Sequence, residues 1–219
     1  MPSFPISRIL AAAVVVLAAA VMLPSAEPHN LGLLKEELRA YVDSGEYGRD
    51  ITRVASQADA WLQQRARQGG ARLTVIFDVD ETLLSNLPEM RSVDFGYVPA
   101  VWTAWMAQGE APGLQPACDL FRTAKRLGFD VIVLSGRLER DRAGTEKNLR
   151  AVGCGDYSRL ILKADADTLL TGAWKTEQRR RLVAGGCVIV ANIGDQESDF
   201  AGGLAERSFK LPSPFYLMK

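Results

Sequence analysis

The stretch Val75–Asn86 reads VIFDVDETLLSN. An apolar run ends on Asp78 and Asp80, one residue apart, and Glu81 follows at once. Carboxylates that close repel, and a buried pair cannot both ionise cheaply. Stability alone gives no reason for such an ending. The run is therefore read as a buried strand and its acidic end as a working site.

The pattern continues outward from there. Leu73 to Phe77, Val131 to Leu134, Leu160 to Leu162 and Val188 to Ile193 are short, nearly continuous apolar runs. Such runs suit strands covered on both faces. Helical spacing lies between them, over Leu114 to Leu127, Glu139 to Val152 and Trp174 to Val183. Strand–helix alternation implies parallel strands joined by right-handed crossovers. The expected fold is α/β: a Rossmann-like three-layer parallel sheet with helices on both faces. A small helical cap, at about 83–113, is inserted after the first core strand. It carries Pro88, Pro99, Gly109 and Pro112, with a helical piece over Val98 to Met106. Two helices precede the sheet within 27–70, at Leu31 to Val42 and at about Asp50 to Arg67. The core occupies 71–219.

In open α/β sheets, ligands bind beyond the carboxyl ends of the strands. The first strand ends on Asp78-Val79-Asp80, the second on Ser135-Gly136-Arg137, and the fourth on Asn192-Ile193-Gly194-Asp195 with Asp199 just after. Lys175 opens the helix that feeds the fourth strand, within reach of the same edge. Alternate residues of an extended segment face one side, so Asp78 and Asp80 point together. A carboxylate can attack phosphorus and split hydrolysis into two easier steps. A second carboxyl, partly protonated, can serve the leaving oxygen and then activate water. Ser135, the Gly136 N–H and Lys175 suit phosphate oxygens. Asp78 and Asp195 suit Mg²⁺, a hard cation that prefers oxygen ligands. Each motif alone has a plainer account as a turn, a cap or a solvated lysine. Their convergence on one edge is what carries chemistry.

The order of motifs resembles the haloacid dehalogenase (HAD) superfamily of phosphatases: DVDET at Asp78–Thr82, Ser135 in VLSGR, Lys175 in AWKTEQR and GDQESD at Gly194–Asp199. DVDETLLSN with NIGDQESDF is similar to its class B-type (subfamily IIIB) acid phosphatases, which include the plant vegetative storage proteins. The resemblance implies that Asp78 is the nucleophile and Asp80 the general acid/base. Mg²⁺ would be held by Asp78, the Asp80 carbonyl and Asp195, and phosphate by Ser135, Gly136 and Lys175. Thr82 would be a supporting residue, and Asp199 would support the metal or hold Lys175. It implies an exported acid phosphatase acting on small phosphomonoesters through an aspartyl phosphate. Phosphotransfer to an acceptor alcohol and a non-catalytic storage or binding protein are the alternatives. Asn86, Trp102 and Trp105 are candidate pocket residues for a nucleotide or aryl phosphate. Val98, Val101, Trp102, Trp105 and Met106 also follow helical spacing, so a packed helix face competes with that role.

Composition bounds the rest. The chain has 219 residues, no formal net charge, and 47% hydrophobic residues, which suits one domain with a real core. No basic stripe suggests a nucleic-acid polymer as partner; Arg179-Arg180-Arg181 is read as a solvated helix face. The single histidine, His29, precedes the folded body. A Ser-His-Asp triad and histidine-ligated metals are thereby excluded from that body. Cys118, Cys154 and Cys187 form no C-x-x-C pair, which argues against a zinc site. Small buried thiols are expected, with Cys154–Cys187 as the disulfide that export would permit. Residues 1–26 carry Arg8, an apolar run from Ile9 to Leu23 and Pro24-Ser25-Ala26. That describes a signal peptide, and the run is shorter than the roughly 20 residues of a comfortable membrane span. Export to the periplasm or medium is expected, with an uncleaved membrane anchor as the alternative.

Overall fold

A computed structural model describes residues 27–218. The expected leader, 1–26, lies outside the described residues. Five parallel strands form one sheet in the order β3-β2-β1-β4-β5. They are β1 (Leu73–Phe77), β2 (Asp130–Leu138), β3 (Arg159–Lys163), β4 (Val188–Gly194) and β5 (Ser208–Lys210). The central strand, β1, is aligned with β2 through Val75↔Val131 and Phe77↔Val133. On its other side it meets β4 through Ile76↔Asn192 and Phe77↔Ile193. This register brings the ends of β1 and β4 level, so their polar residues share one edge.

Alternation sorts the side chains onto two faces. Val75, Phe77, Val131 and Val133 pack with Leu62 of α2 (Glu46–Arg67), Phe121 of α5 (Gln115–Arg126) and Leu149 of α6 (Arg142–Ala151). Ile76, Ile132 and Leu134 pack on the opposite face with Trp174 and Leu182 of α7 (Thr171–Ala184). Each large side chain buried this way contributes about 1.5–3 kcal/mol before entropy is counted. Both faces of the sheet are therefore covered, as the continuous apolar runs predict. The short β5 strand was not expected; Ser-Phe-Lys is too brief to show a period. The second helix starts a turn earlier than the expected Asp50: α2 begins at Glu46 and runs through Gly48. Tertiary burial of Tyr47 and Ile51 outweighs the modest cost of one helical glycine.

The cap follows β1 as α3 (Leu87–Ser92) and α4 (Pro99–Gln108). It is seated at a close helix crossing. A methyl on Gly144 would stand 2.2 Å from the Met106 carbonyl oxygen, so only glycine lets α6 approach α4 there. On its outer side the cap is tied to α1 (Leu31–Asp43). Lys35 Nζ is 2.7 Å from Asp94 Oδ2, and Arg39–Asp94 and Arg91–Asp43 ion pairs accompany it. Exposed pairs of this kind contribute about 0–1 kcal/mol each, so they orient the cap more than they stabilise it.

The three-arginine run needs correcting. Arg179 is fully buried rather than solvated, while Arg180 and Arg181 are exposed. Its guanidinium donates to the backbone carbonyls of Asp199 and Ala201, which lie beyond the last turn of α8 (Glu197–Phe200) or within it. The three cysteines are free and buried; Cys154 and Cys187 form no disulfide. Among the described residues no helix is long and apolar enough to cross a membrane.

Arg179→Ala would take from the Asp199 and Ala201 carbonyls one of the two donors each has, leaving Asn192 Nδ2 and Thr176 Oγ1, and would open a cavity where a fully buried side chain stood. The expected loss is about 3 kcal/mol of unfolding free energy, measured by urea titration. A variant within 0.5 kcal/mol of wild type, roughly the size of an ordinary surface substitution, would refute this account.

Candidate active site

The β1 strand stops at Phe77, and its polar continuation is held by backbone bonds. The Asp78 N–H donates to the Ile193 carbonyl at 2.9 Å, which keeps the acid in line with the sheet. The Val79 carbonyl then accepts from Leu83 at 3.0 Å and Leu84 at 2.9 Å, closing a tight turn. Glu81 takes φ +51° within it, a conformation that costs a non-glycine residue energy and clusters at functional sites. Its carboxylate holds the turn shut by accepting from the Asn86 N–H at 2.6 Å.

Lys175 sits at the centre. Its Nζ is 2.6 Å from Asp78 Oδ1 and 2.5 Å from Asp199 Oδ1, and all three side chains are buried. Burial alone would lower the lysine; the two carboxylates outweigh it and hold the ammonium well above its usual range. Asp78 is pushed well above the carboxylate range, first by burial and then by the charges of Asp199, Asp195 and Asp80, against the pull of Lys175. Asp199 reaches this spot because residue 194 is glycine. A methyl on Gly194 would lie 2.2 Å from Asp199 Oδ2.

One oxygen from each of Asp78, Asp195 and Asp199 falls within 4.8 Å of the others. Asp195 Oδ2 accepts from Ser213 Oγ at 2.7 Å and from Gln196 Nε2 at 2.7 Å. Its Oδ1 is buried and has no partner. Burial and the Asp199 charge push Asp195 up to about 7. An all-oxygen set with one buried, unanswered carboxylate oxygen is what a hard divalent cation would complete, so the residues fit such an ion.

Asp80 does not share that cluster. Arg137 grips it: Nε lies 3.0 Å from Oδ2 and Nη2 lies 2.6 Å from Oδ1, and Asn86 Nδ2 adds a third donor at 2.8 Å. Burial would raise Asp80, but the guanidinium outweighs it and holds the carboxyl below its usual range. The two acids are therefore separated, in the opposite sense to a protonated Asp80 beside an ionised Asp78. The cause is Arg137, which the sequence presents only as part of a strand-end turn.

The other sequence candidates are placed as follows. Ser135 and Gly136 line the cavity beside Asp78 and Lys175. Thr82 is buried beneath the turn, and its Oγ1 has no partner. Trp102 lines the cavity. Asn86 and Trp105 stand behind it: Trp105 Nε1 donates to Asn86 Oδ1 at 2.9 Å, and Asn86 in turn fixes Asp80 and Glu81. They buttress the acids instead of forming the wall.

Sequence reasoning missed the segment after β5. It crosses the carboxyl edge and supplies Ser213 to Asp195. Tyr216 Oη donates to Glu81 Oε2 at 2.8 Å, and the Met218 N–H donates to Gln196 Oε1 at 3.0 Å. Burial and the Asp80 charge push Glu81 up to about 7 despite these donors. No periodicity marks such a strap; the only hint is the polar and aromatic residues of Pro212–Met218 after the last apolar run. Above the acids opens a cavity of about 560 Å³. Its wall is apolar, built from Met90, Phe95, Trp102 and Met106 of the cap and Phe215 and Tyr216 of the strap.

A buried carboxylate–lysine cluster at the carboxyl edge of a parallel α/β sheet, under a small cap, defines a class of phosphoryl-transfer hydrolases. The family model for the HAD superfamily, subfamily IIIB (acid phosphatase), matches residues 16–219. Acid phosphatase 1 of Solanum lycopersicum is 38% identical over 82% of this chain and 72% of its own. Vegetative storage protein 1 of Arabidopsis thaliana is 33% identical over 85% and 73%. The class C acid phosphatase of Bacillus anthracis shares the fold with a TM-score of 0.70, at 24% identity over 84% of this chain and 86% of that one. The chain belongs to subfamily IIIB of the HAD superfamily, the acid phosphatases, and is a phosphomonoesterase.

Asp195 and Glu81 both sit near 7 when folded, well above their unfolded values. The folded state then binds more protons than the unfolded one between about pH 4 and 7. Stability of the metal-stripped protein should fall as pH rises through that window. A melting series in EDTA checks this: the melting temperature should be higher at pH 5 than at pH 8. A flat or rising series would contradict it.

Proposed function

We propose that this is an exported, divalent-metal-dependent acid phosphatase that works through an aspartyl phosphate on Asp78. The observation that carries the reading is Lys175 joined to both Asp78 and Asp199 at the carboxyl edge, with the unanswered Asp195 oxygen beside them. Asp78, the Asp80 carbonyl and Asp195 would hold the ion, and Mg²⁺ suits oxygen ligands of this kind. Bound there, it would neutralise charge on the transferring phosphoryl group and bring Asp78 back to its ionised, nucleophilic state.

The residues of the chain supply the rest. Lys175, Ser135 and the Gly136 N–H orient the phosphate. Asp78 attacks phosphorus and the leaving oxygen departs with a proton from Asp80. Water then attacks the aspartyl phosphate, and Asp80 takes its proton. Asp199 fixes Lys175, and Thr82 supports the turn. Arg137 favours ionised Asp80, the state needed to accept that second proton. The first proton must be loaded onto a carboxyl held low, which places the optimum on the acid side. The apolar cleft admits a small ester, and its aromatic side chains suit an aryl group. Vegetative storage proteins among the relatives suggest a non-catalytic reading, but the complete set of acids favours catalysis. An acceptor alcohol could replace water without any change to the site.

Two experiments test this. Asp78→Asn should reduce hydrolysis of para-nitrophenyl phosphate to background, as should EDTA, with recovery on adding Mg²⁺. Asp80→Asn should cost roughly 10²–10⁴-fold in kcat. Full activity in Asp78→Asn would sink the mechanism. Separately, Arg137→Gln should release Asp80 upward and move the alkaline limb of the kcat/KM profile to higher pH. An unmoved limb would remove Arg137 from the proton bookkeeping.

A further inference from the structure

A buried carboxylate in the cleft takes no part in the chemistry described. Glu89, in the first turn of α3, is 4% exposed and lines the cavity. Its Oε1 is buried without a hydrogen-bond partner. Burial alone pushes the carboxyl up, with no charge among the described residues to offset it. A buried acid left unpaired is costly, and it is neutralised either by keeping a proton or by meeting a cation. The cleft offers none from within: Arg137 is spent on Asp80, Lys175 is spent on Asp78 and Asp199, and Arg140 is exposed.

The surroundings narrow what would answer it. Tyr97 and Trp102 lie with ring centroids 6.3 Å apart, and Phe95 stacks on Phe215 at 6.1 Å. Aromatic faces attract cations, most strongly where water is excluded. A polar but neutral group would satisfy the acid without using the rings, and a plain aryl group would use the rings without satisfying the acid.

Resting on the phosphatase reading above, we propose that the cleft selects phosphomonoesters whose leaving group carries an alkylammonium. The phosphate sits on Asp78, Ser135 and Lys175, and the cation lies between Glu89 and the aromatic wall. The ammonium is untouched by the reaction. The P–O bond to the leaving group breaks, water supplies the new P–O bond, and the freed alcohol keeps its charge.

The test uses the full chain with Mg²⁺ and two probes of one shape. Choline phosphate carries the cation, and 3,3-dimethylbutyl phosphate replaces its nitrogen with carbon. Wild type should prefer the charged probe by about tenfold or more in kcat/KM, the scale of a desolvated cation contact. Glu89→Gln should narrow that ratio to within about twofold. The wild-type comparison needs no variant, so a Glu89→Gln protein that fails to fold leaves it intact. Equal rates on the two probes, with para-nitrophenyl phosphate hydrolysed normally, would overturn this proposal alone. So would a nucleoside monophosphate that outruns choline phosphate and loses its advantage in Glu89→Gln, since the acid would then be reading hydroxyls. Failure to hydrolyse para-nitrophenyl phosphate would take down the phosphatase reading and this one with it.

Discussion

Everything at the carboxyl edge depends on one buried ammonium. Lys175 lies between Asp78 and Asp199, and both contacts are short. Without it, the acids delivered by β1 and by the turn after β4 would meet as bare like charges in a low-dielectric space. Breaking a buried pair of this kind costs several kcal/mol, because a charge is left uncompensated. The parallel register positions the strand ends level, and the lysine makes it tolerable that they are acidic.

Around that cluster the protein uses two distinct devices. Below, rigid packing sets position: β1 is buried on both sides, and the Gly194 α-carbon leaves room for Asp199. Above, hydrogen bonds set charge state. Arg137 and Asn86 keep Asp80 ionised, while Ser213 and Gln196 hold Asp195 by one oxygen and leave the other open. Asp78 and Asp80, one residue apart in the first motif, thus face different partners and acquire different proton affinities. That difference comes from the neighbours each acid meets, not from its place in the motif.

The core of this arrangement was legible in the sequence. Apolar runs of strand length, separated by helical spacing, determine a parallel sheet, and the strand ends then name Asp78, Ser135 and Asp195 as neighbours. The same reading put Lys175 and Asp199 within reach of that edge, and the family resemblance gave them roles. What escaped is what lacks a period. Arg137 belongs to a strand-end motif whose first two residues explained it well enough. Arg179 sits in a charged run whose composition suggests solvent, yet backbone carbonyls of the neighbouring turn call it inward. The strap is extended and irregular, so its side chains declare nothing until Asp195 and Glu81 are in place. Trp105 and Asn86 were legible as important, but only contacts separate a buttress from a wall.

The strap has a consequence for how the molecule assembles. Tyr216 and Glu81 are 135 positions apart, and Lys175 and Asp78 are 97 apart. In the open chain Asp78 and Asp80 lie far along the sequence from Asp195 and Asp199, and the two groups are solvated and ionised independently. Their repulsion arises only when the crossovers have closed the sheet and brought the distant segments together. Contacts of such long sequence separation form late, after the loop-closure entropy has been met. The pairing of β1 with β4 is itself such a contact, joining Leu73 to Val188 and Phe77 to Ile193, so the electrostatic conflict at the strand ends arrives with the very pairing that completes the middle of the sheet.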